Sequence, residues 1–297
     1  MSRKRKAPKP TKKQLLLYIA FQSLQAVSSR LASLLAYHLW FHPSRQGFAH
    51  LPEFQPEGVR PGEVKVNKKS VYYWSAGEGK TVFMMHGWAG CGKQFSIMAQ
   101  AFIDAGYRVI WMDAPAHCAS EGWQTSLFEF SEAMLAVQQK EGSFAAIVAH
   151  SFGVPCSLYA MAHQSLQVEK LISISAPSTT ESLMDGFCKI INANQKTKDR
   201  IIKRFKDFLG DIDIADTSAL TNAKRITQPC LVIHDKYDRV TRAQGSQQLC
   251  ESFKQAEYLQ TERLGHNKIL RDKAVIEACV KFVTDNRCVD VDIKMTG

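Results

Sequence analysis

The 297-residue chain has no two cysteines in C-x-x-C spacing, and its nine histidines form no H-E-x-x-H pair. The first absence argues against a zinc ribbon or a dithiol redox centre, and the second against a metalloprotease-type site. The eight cysteines stand mostly in apolar segments, where they read as small hydrophobes of a protein in a reducing compartment. There is no internal repeat, and no low-complexity tract beyond the first 13 residues. Those residues, "MSRKRKAPKPTKK", contain no acid and seven bases. Without them the formal net charge of +10 becomes far smaller, so the rest of the chain gives little reason to expect a nucleic-acid partner. At 45% hydrophobic and 22% charged, the composition is that of a globular protein with a sizeable core.

The longest apolar segment, residues 14–41, is interrupted by Gln22, Gln25, Arg30 and His38. On a helix, Gln22, Gln25, Ser29 and Ser33 fall on one stripe, which reads as an amphipathic helix rather than a membrane span. Such a helix docks on the protein itself or lies on an anionic membrane surface, where the basic tail would assist; a signal peptide or membrane anchor is the remaining reading. His42-Pro43 ends it, and the stretch around "PEFQPEGVRPGE" reads as a loop.

From residue 64 the rhythm changes. "EVKVNKKSVYYWS" reads as two strands around a turn. Strands at 81–86, 107–113, 144–150, 169–176, 230–235 and 256–263 then alternate with helix-length segments. That alternation predicts an α/β fold, with a mainly parallel central sheet and helices on both faces. Residues from about 178 to 226 break the rhythm and read as a small helical cap. The expected organisation is therefore a basic tail, helix and loop over 1–63, an α/β domain over 64–286 containing the cap, and a tail over 287–297.

Within "AIVAHSFGVP", Ser151 stands where a strand stops and a helix begins. A sharp turn there needs small neighbours, which Ala149 and Gly153 supply. The turn lifts the hydroxyl above the C-terminal edge of the sheet, against free helix N–H groups. A serine nucleophile needs a base, an acid and an oxyanion hole. "RLGHNKIL" offers His266 as base, and "IHDKYDRVT" offers Asp235 or Asp238 as acid. "MMHGWAG" offers the N–H of Trp88, to act with that of Phe152 on an oxyanion. Asp238 lies inside its loop and free to curl over the sheet edge, whereas Asp235 ends the strand.

With serine, acid and histidine in that order, the chain resembles the α/β-hydrolase superfamily, in particular its bacterial esterase-like branch with a short helical cap. The resemblance rests on His86-Gly87-Trp88, "DAPAH" at 113–117, "AHSFG" at 149–153, Asp238 in "DKYDRV" and "GHNKIL" at 265–270. It covers about residues 64–286 and implies that the acid is the later one, Asp238. Two positions depart from the pattern: Ala149 begins the serine motif in place of glycine, and Cys118 follows "DAPAH" where such proteins more often carry glycine.

The remaining candidates read as structural. Strand alternation turns His150 away from Ser151. His86 is expected to brace its loop, and Asp113 and His117 to shape a turn near the site. "GWAGCGKQ" imitates a phosphate-binding loop, but Gln94 stands where a magnesium-binding hydroxyl belongs. The expected activity is cleavage of carboxylic esters by Ser151, Asp238 and His266 through an acyl-enzyme, without cofactor or metal. The alternatives are a thioesterase or lipid-ester hydrolase, with Phe187, Phe205 and Phe208 sheltering an acyl chain, and a non-catalytic binding protein. The expected partners are small or lipid-like esters and an anionic membrane touched through residues 1–41, in the cytoplasm or on the inner face of its membrane.

Overall fold

The structure is a computed structural model that describes residues 12–44 and 54–285. Basic residues 1–11, the C-terminal tail 287–297 and its Cys288 lie outside the described residues. Helices α1 (Lys12–Val27) and α2 (Ser29–Trp40) come first, followed by strands β1 (Arg60–Val66), β2 (Lys69–Ala76) and β3 (Thr81–Met85). Then come α3 (Ser96–Asp104), β4 (Arg108–Met112), α4 (Leu127–Glu141), β5 (Phe144–His150), α5 (Gly153–His163) and β6 (Val168–Ile174). Helices α6 (Thr180–Ile190), α7 (Gln195–Leu209) and α8 (Ala219–Ala223) lie between β6 and β7 (Cys230–Asp235). The described chain closes with α9 (Ala243–Ser252), β8 (Ala256–Thr261), α10 (Gly265–Lys268) and α11 (Lys273–Thr284).

The strands form one sheet in the order β1-β2-β4-β3-β5-β6-β7-β8. Pairing is antiparallel from β1 through β2 to β4 and parallel from there to β8. The parallel strands are covered on both faces, which is why "TVFMM" and "FAAIVAH" are buried throughout and largely apolar instead of alternating. Successive β3 side chains still part to opposite faces. Phe83 and Met85 join Phe130, Phe144 and Val154 in one core, while Val82 and Met84 join Phe95, Phe102 and Phe282 in the other. Fully burying one such side chain is worth about 1.5–3 kcal/mol. Helix ends follow local chemistry. Ser126 caps α4 by accepting from Glu129 N–H, and Asp272 caps α11 by accepting from Val275 N–H, each cap worth about 1 kcal/mol.

The chain divides into two compact units. Residues 42–182 and 214–297 make the sheet unit. The smaller, helical unit consists of residues 1–41 and Leu183–Asp213. In it the polar stripe of the first two helices faces inward. Gln22 Nε2 donates to Ile191 O at 2.7 Å, Gln25 Oε1 accepts from Asn194 N at 2.8 Å, and the buried Ser33 hydroxyl accepts from Arg204 Nε at 3.1 Å. Phe205 packs on Trp40 and Phe41, and Phe187 on Trp40, so these aromatics build the unit's own core. The consecutive apolar residues Leu15, Leu16, Leu17, Tyr18 and Ile19 are exposed, as are Val27 and Leu31. Among the described residues no helix is long and apolar enough to cross a membrane.

Candidate active site

Ser151 sits between β5 and α5 with φ +53°, in the left-handed region that residues with a side chain rarely enter. Its N–H is held by Ile174 O at 2.9 Å, which anchors the turn to β6. The tightness of the turn is measurable at two glycines. A Cβ on Gly153 would stand 2.6 Å from Met85 O and 2.7 Å from His86 O. One on Gly87 would stand 2.7 Å from Ser151 Cβ. Ala149 is fully buried, and its methyl is accommodated. The departure from glycine at that position leaves the turn intact.

Three residues far apart in sequence meet at this turn. Ser151 Oγ lies 3.0 Å from His266 Nε2, and His266 Nδ1 lies 2.7 Å from Asp238 Oδ2. A carboxylate only accepts, so Nδ1 carries the proton it donates to Asp238 and Nε2 is left to accept the serine proton. The Asp238 side chain is fully buried. Burial alone would push its pKa up. Hydrogen bonds from His234 and His266, the His266 charge and the Val240 N–H overcome this and hold the carboxyl well below the usual range. Its other oxygen accepts from Val240 N at 2.7 Å and Thr241 N at 3.2 Å. Such an arrangement can draw a proton from Ser151 and hold the imidazolium that forms.

Asp235 has a different task. It accepts from Tyr237 N–H, from the Thr261 hydroxyl and from Leu264 N–H at 2.9 Å, and so fastens the loop that leads into His266. Trp88 and Phe152 flank Ser151, their rings meeting edge to face at 5.4 Å, with Phe130 against both. The backbone leaving Gly87 presses on Ser151 and turns at Ala89, φ +54°.

The bracing histidines are all engaged. His86 Nε2 accepts from Ala114 N–H at 2.9 Å while Nδ1 donates to Gly87 O at 2.7 Å, and burial lowers its pKa to about 4. His117 Nε2 accepts from Ala89 N–H at 3.0 Å. Asp113 receives the N–H of Gly92 at 2.8 Å and of Ala119 at 3.1 Å, so the "GWAGCGKQ" segment is pinned as a turn. His150 does more than pack. Its Nε2 donates to His266 O at 2.8 Å. His234 and Thr241 are further members that sequence reasoning missed. The Thr241 hydroxyl lies 3.1 Å from Asp238 Oδ2, and His234 Nε2 lies 3.5 Å from the same oxygen. Only the position of His234 inside a buried strand hinted at it.

A family model described as the alpha/beta hydrolase fold matches residues 80–206. An esterase from Exiguobacterium antarcticum superimposes with a TM-score of 0.60 at 19% identity, over 74% of this chain and 97% of its own. A bromoperoxidase from Bacillus anthracis does so with 0.60 at 16% identity, over 76% and 100%. A thioesterase domain from the curacin biosynthetic pathway gives 0.58 at 16%, over 77% and 100%. No curated protein sequence matches the chain. At these identities the structural likeness speaks for the fold.

The chain has the α/β-hydrolase fold. On this fold, Ser151 follows the fifth strand, Asp238 follows the seventh and His266 follows the eighth. All three stand at the C-terminal edge of the parallel strands, where open α/β sheets place their ligands.

Proposed function

We propose that this hydrolase cleaves carboxylic esters with Ser151 as nucleophile, His266 as general base and acid, and Asp238 as the group that orients the imidazole. The observation that carries this reading is the hydrogen-bonded line from Ser151 Oγ to His266 to the buried Asp238 carboxylate, at 3.0 and 2.7 Å. Ser151 attacks the acyl carbon as its proton passes to His266 Nε2. The oxyanion of the tetrahedral intermediate takes hydrogen bonds from Trp88 and Phe152 N–H. His266 returns the proton to the departing alcohol, leaving an acyl-Ser151. Water, deprotonated by the same imidazole, then releases the acid and restores the serine. The chemistry needs no cofactor or metal.

A fluorophosphonate probe tests the nucleophile. Labelling of wild type that vanishes in Ser151→Ala, together with loss of ester hydrolysis in a folded variant, is the expected result. Undiminished labelling of Ser151→Ala would sink the assignment, and an unlabelled wild type would favour a binding protein. Assays across esters and thioesters of increasing acyl length separate a carboxylesterase from a thioesterase or lipid-ester hydrolase.

We also infer that residues 1–41 rest on an anionic membrane surface on the cytoplasmic side. Docking within the helical unit uses the polar stripe and leaves Leu15–Ile19, Val27 and Leu31 exposed. The acid-free basic run of residues 1–13 stands immediately before this apolar stretch. Exposed apolar side chains beside clustered bases match an anionic lipid surface in both respects.

A further inference from the structure

We propose that Cys91, Asp113 and Cys118 form a binding site for a thiophilic divalent cation of the zinc and cadmium type. The two Sγ atoms and a carboxylate oxygen all lie within 4.8 Å of one another. Zinc–sulfur bonds of about 2.3 Å and zinc–oxygen bonds of about 2.0–2.2 Å need donors closer than that, so a small inward movement of the thiols completes the site. Cys91 and Asp113 are buried, whereas Cys118 is half-exposed and gives the ion its way in. Two thiolates and a carboxylate suit a borderline-soft cation and not magnesium or calcium, which prefer oxygen donors throughout. Coordination replaces the two thiol protons, which leave to solvent as the ion enters.

The backbone supplies a second observation. Cys118 has φ +39° and Ala116 φ +64°, in the left-handed region that favours glycine. A thiol is thus held at a strained position, with Sγ 3.6 Å from Gly90 O and beside the thiol of Cys91.

The site joins two loops that already touch. Ala89 N–H donates to His117 Nε2, and Gly92 N–H to Asp113 Oδ1. Drawing Cys91 toward Cys118 pulls on the segment that carries Trp88, so the bound ion slows ester turnover. That consequence rests on the serine-hydrolase reading, whereas the binding itself does not.

Cadmium titration of the metal-free, reduced full-length chain, followed through thiolate-to-metal ultraviolet absorption and calorimetry, tests the site. It is run on wild type and on Ser151→Ala, so that binding is read apart from catalysis. The expected result is one equivalent bound in both, with proton release, and loss of that binding in Cys118→Gly and Cys91→Ser. Cys118→Gly suits the local backbone and carries the test should Cys91→Ser fail to fold. Cys230→Ser, which removes a buried thiol elsewhere, leaves binding unchanged. Absence of the band in wild type, or its persistence in Cys118→Gly, overturns the site. A normal band with unaltered turnover of a good ester overturns the link to the Trp88 loop.

Discussion

His150 Nε2 hydrogen-bonds the backbone oxygen of His266 at 2.8 Å, and the two rings lie 4.7 Å apart. One histidine thus positions another from beneath. His150→Ala removes both the donor and the ring that supports His266. Misplacement of a catalytic group by about 1 Å can cost about 10²-fold. We expect kcat to fall about 10- to 100-fold with KM little changed, and the pH dependence of turnover to shift. A merely structural role would lower the melting temperature and leave the kinetics of the remaining folded enzyme untouched.

The two aspartates after β7 separate by task. Asp238→Asn deprives His266 of its orienting carboxylate and should lower turnover of an activated ester by about 10⁴-fold, the loss seen in the serine-protease template. Asp235→Asn weakens the tie to Leu264 N–H and Thr261, so it should mainly lower thermal stability. Kinetics and melting curves for both variants decide the matter. A dead Asp235→Asn beside a near-normal Asp238→Asn would exchange their roles.

At the serine turn, Gly153→Ala would place a methyl 2.6 Å from Met85 O and 2.7 Å from His86 O. Both obstacles are backbone and cannot swing aside. Overpacking of this kind costs about 1–3 kcal/mol, and here it also displaces Ser151. Chemical denaturation should show the destabilisation, with probe labelling falling alongside it.

Acid should weaken the fold through histidines that are buried uncharged. Burial lowers the pKa of His86 to about 4, and burial with the neighbouring His266 charge lowers that of His150 to about 3. Unfolded, each titrates near 6.5, so below that pH the unfolded chain binds more protons and stability falls as pH falls. The loss begins near pH 6.5 and runs down to about 4 for His86 and about 3 for His150. Within the window each contributes a slope of about 1.4 kcal/mol per pH unit. Asp113, raised by burial, acts in the opposite sense. Urea midpoints from pH 7 to pH 5 should decline, and less steeply in His150→Phe.

Vesicle sedimentation checks the membrane contact. Full-length protein should bind anionic vesicles, release them as salt rises, and ignore neutral ones. Each base near the surface is worth about 1 kcal/mol. Leu16→Glu with Ile19→Glu should weaken binding without unfolding the protein, since both side chains are exposed. Equal binding by these variants and wild type would remove the membrane from the account.

Much of this protein is decided by local sequence. Largely apolar runs such as "FAAIVAH" and "CLVIHD" fall within a few residues of the strands they form, because a strand covered on both faces is buried along its whole length. Small residues around Ser151 mark the turn, since a Cβ at Gly153 would meet the backbone oxygens of Met85 and His86. The order of serine, acid and histidine is likewise written in the chain. What local sequence cannot show is which group reaches which across the sheet. Asp235 and Asp238 stand three residues apart, and only the path of the loop settles that Asp238 meets His266 while Asp235 holds Leu264 N–H. His150 supports His266 from 116 residues away, a contact created by the stacking of distant loops. The first helices show the same division most plainly. Their polar stripe is visible as a period in the sequence, but periodicity carries no sign for inside and outside. Tertiary structure turned the stripe inward because Gln22, Gln25 and Ser33 find hydrogen-bond partners among residues 191–204, and it left Leu15–Ile19, Val27 and Leu31 facing out while Phe21, Ala32, Ala36 and Phe41 are buried.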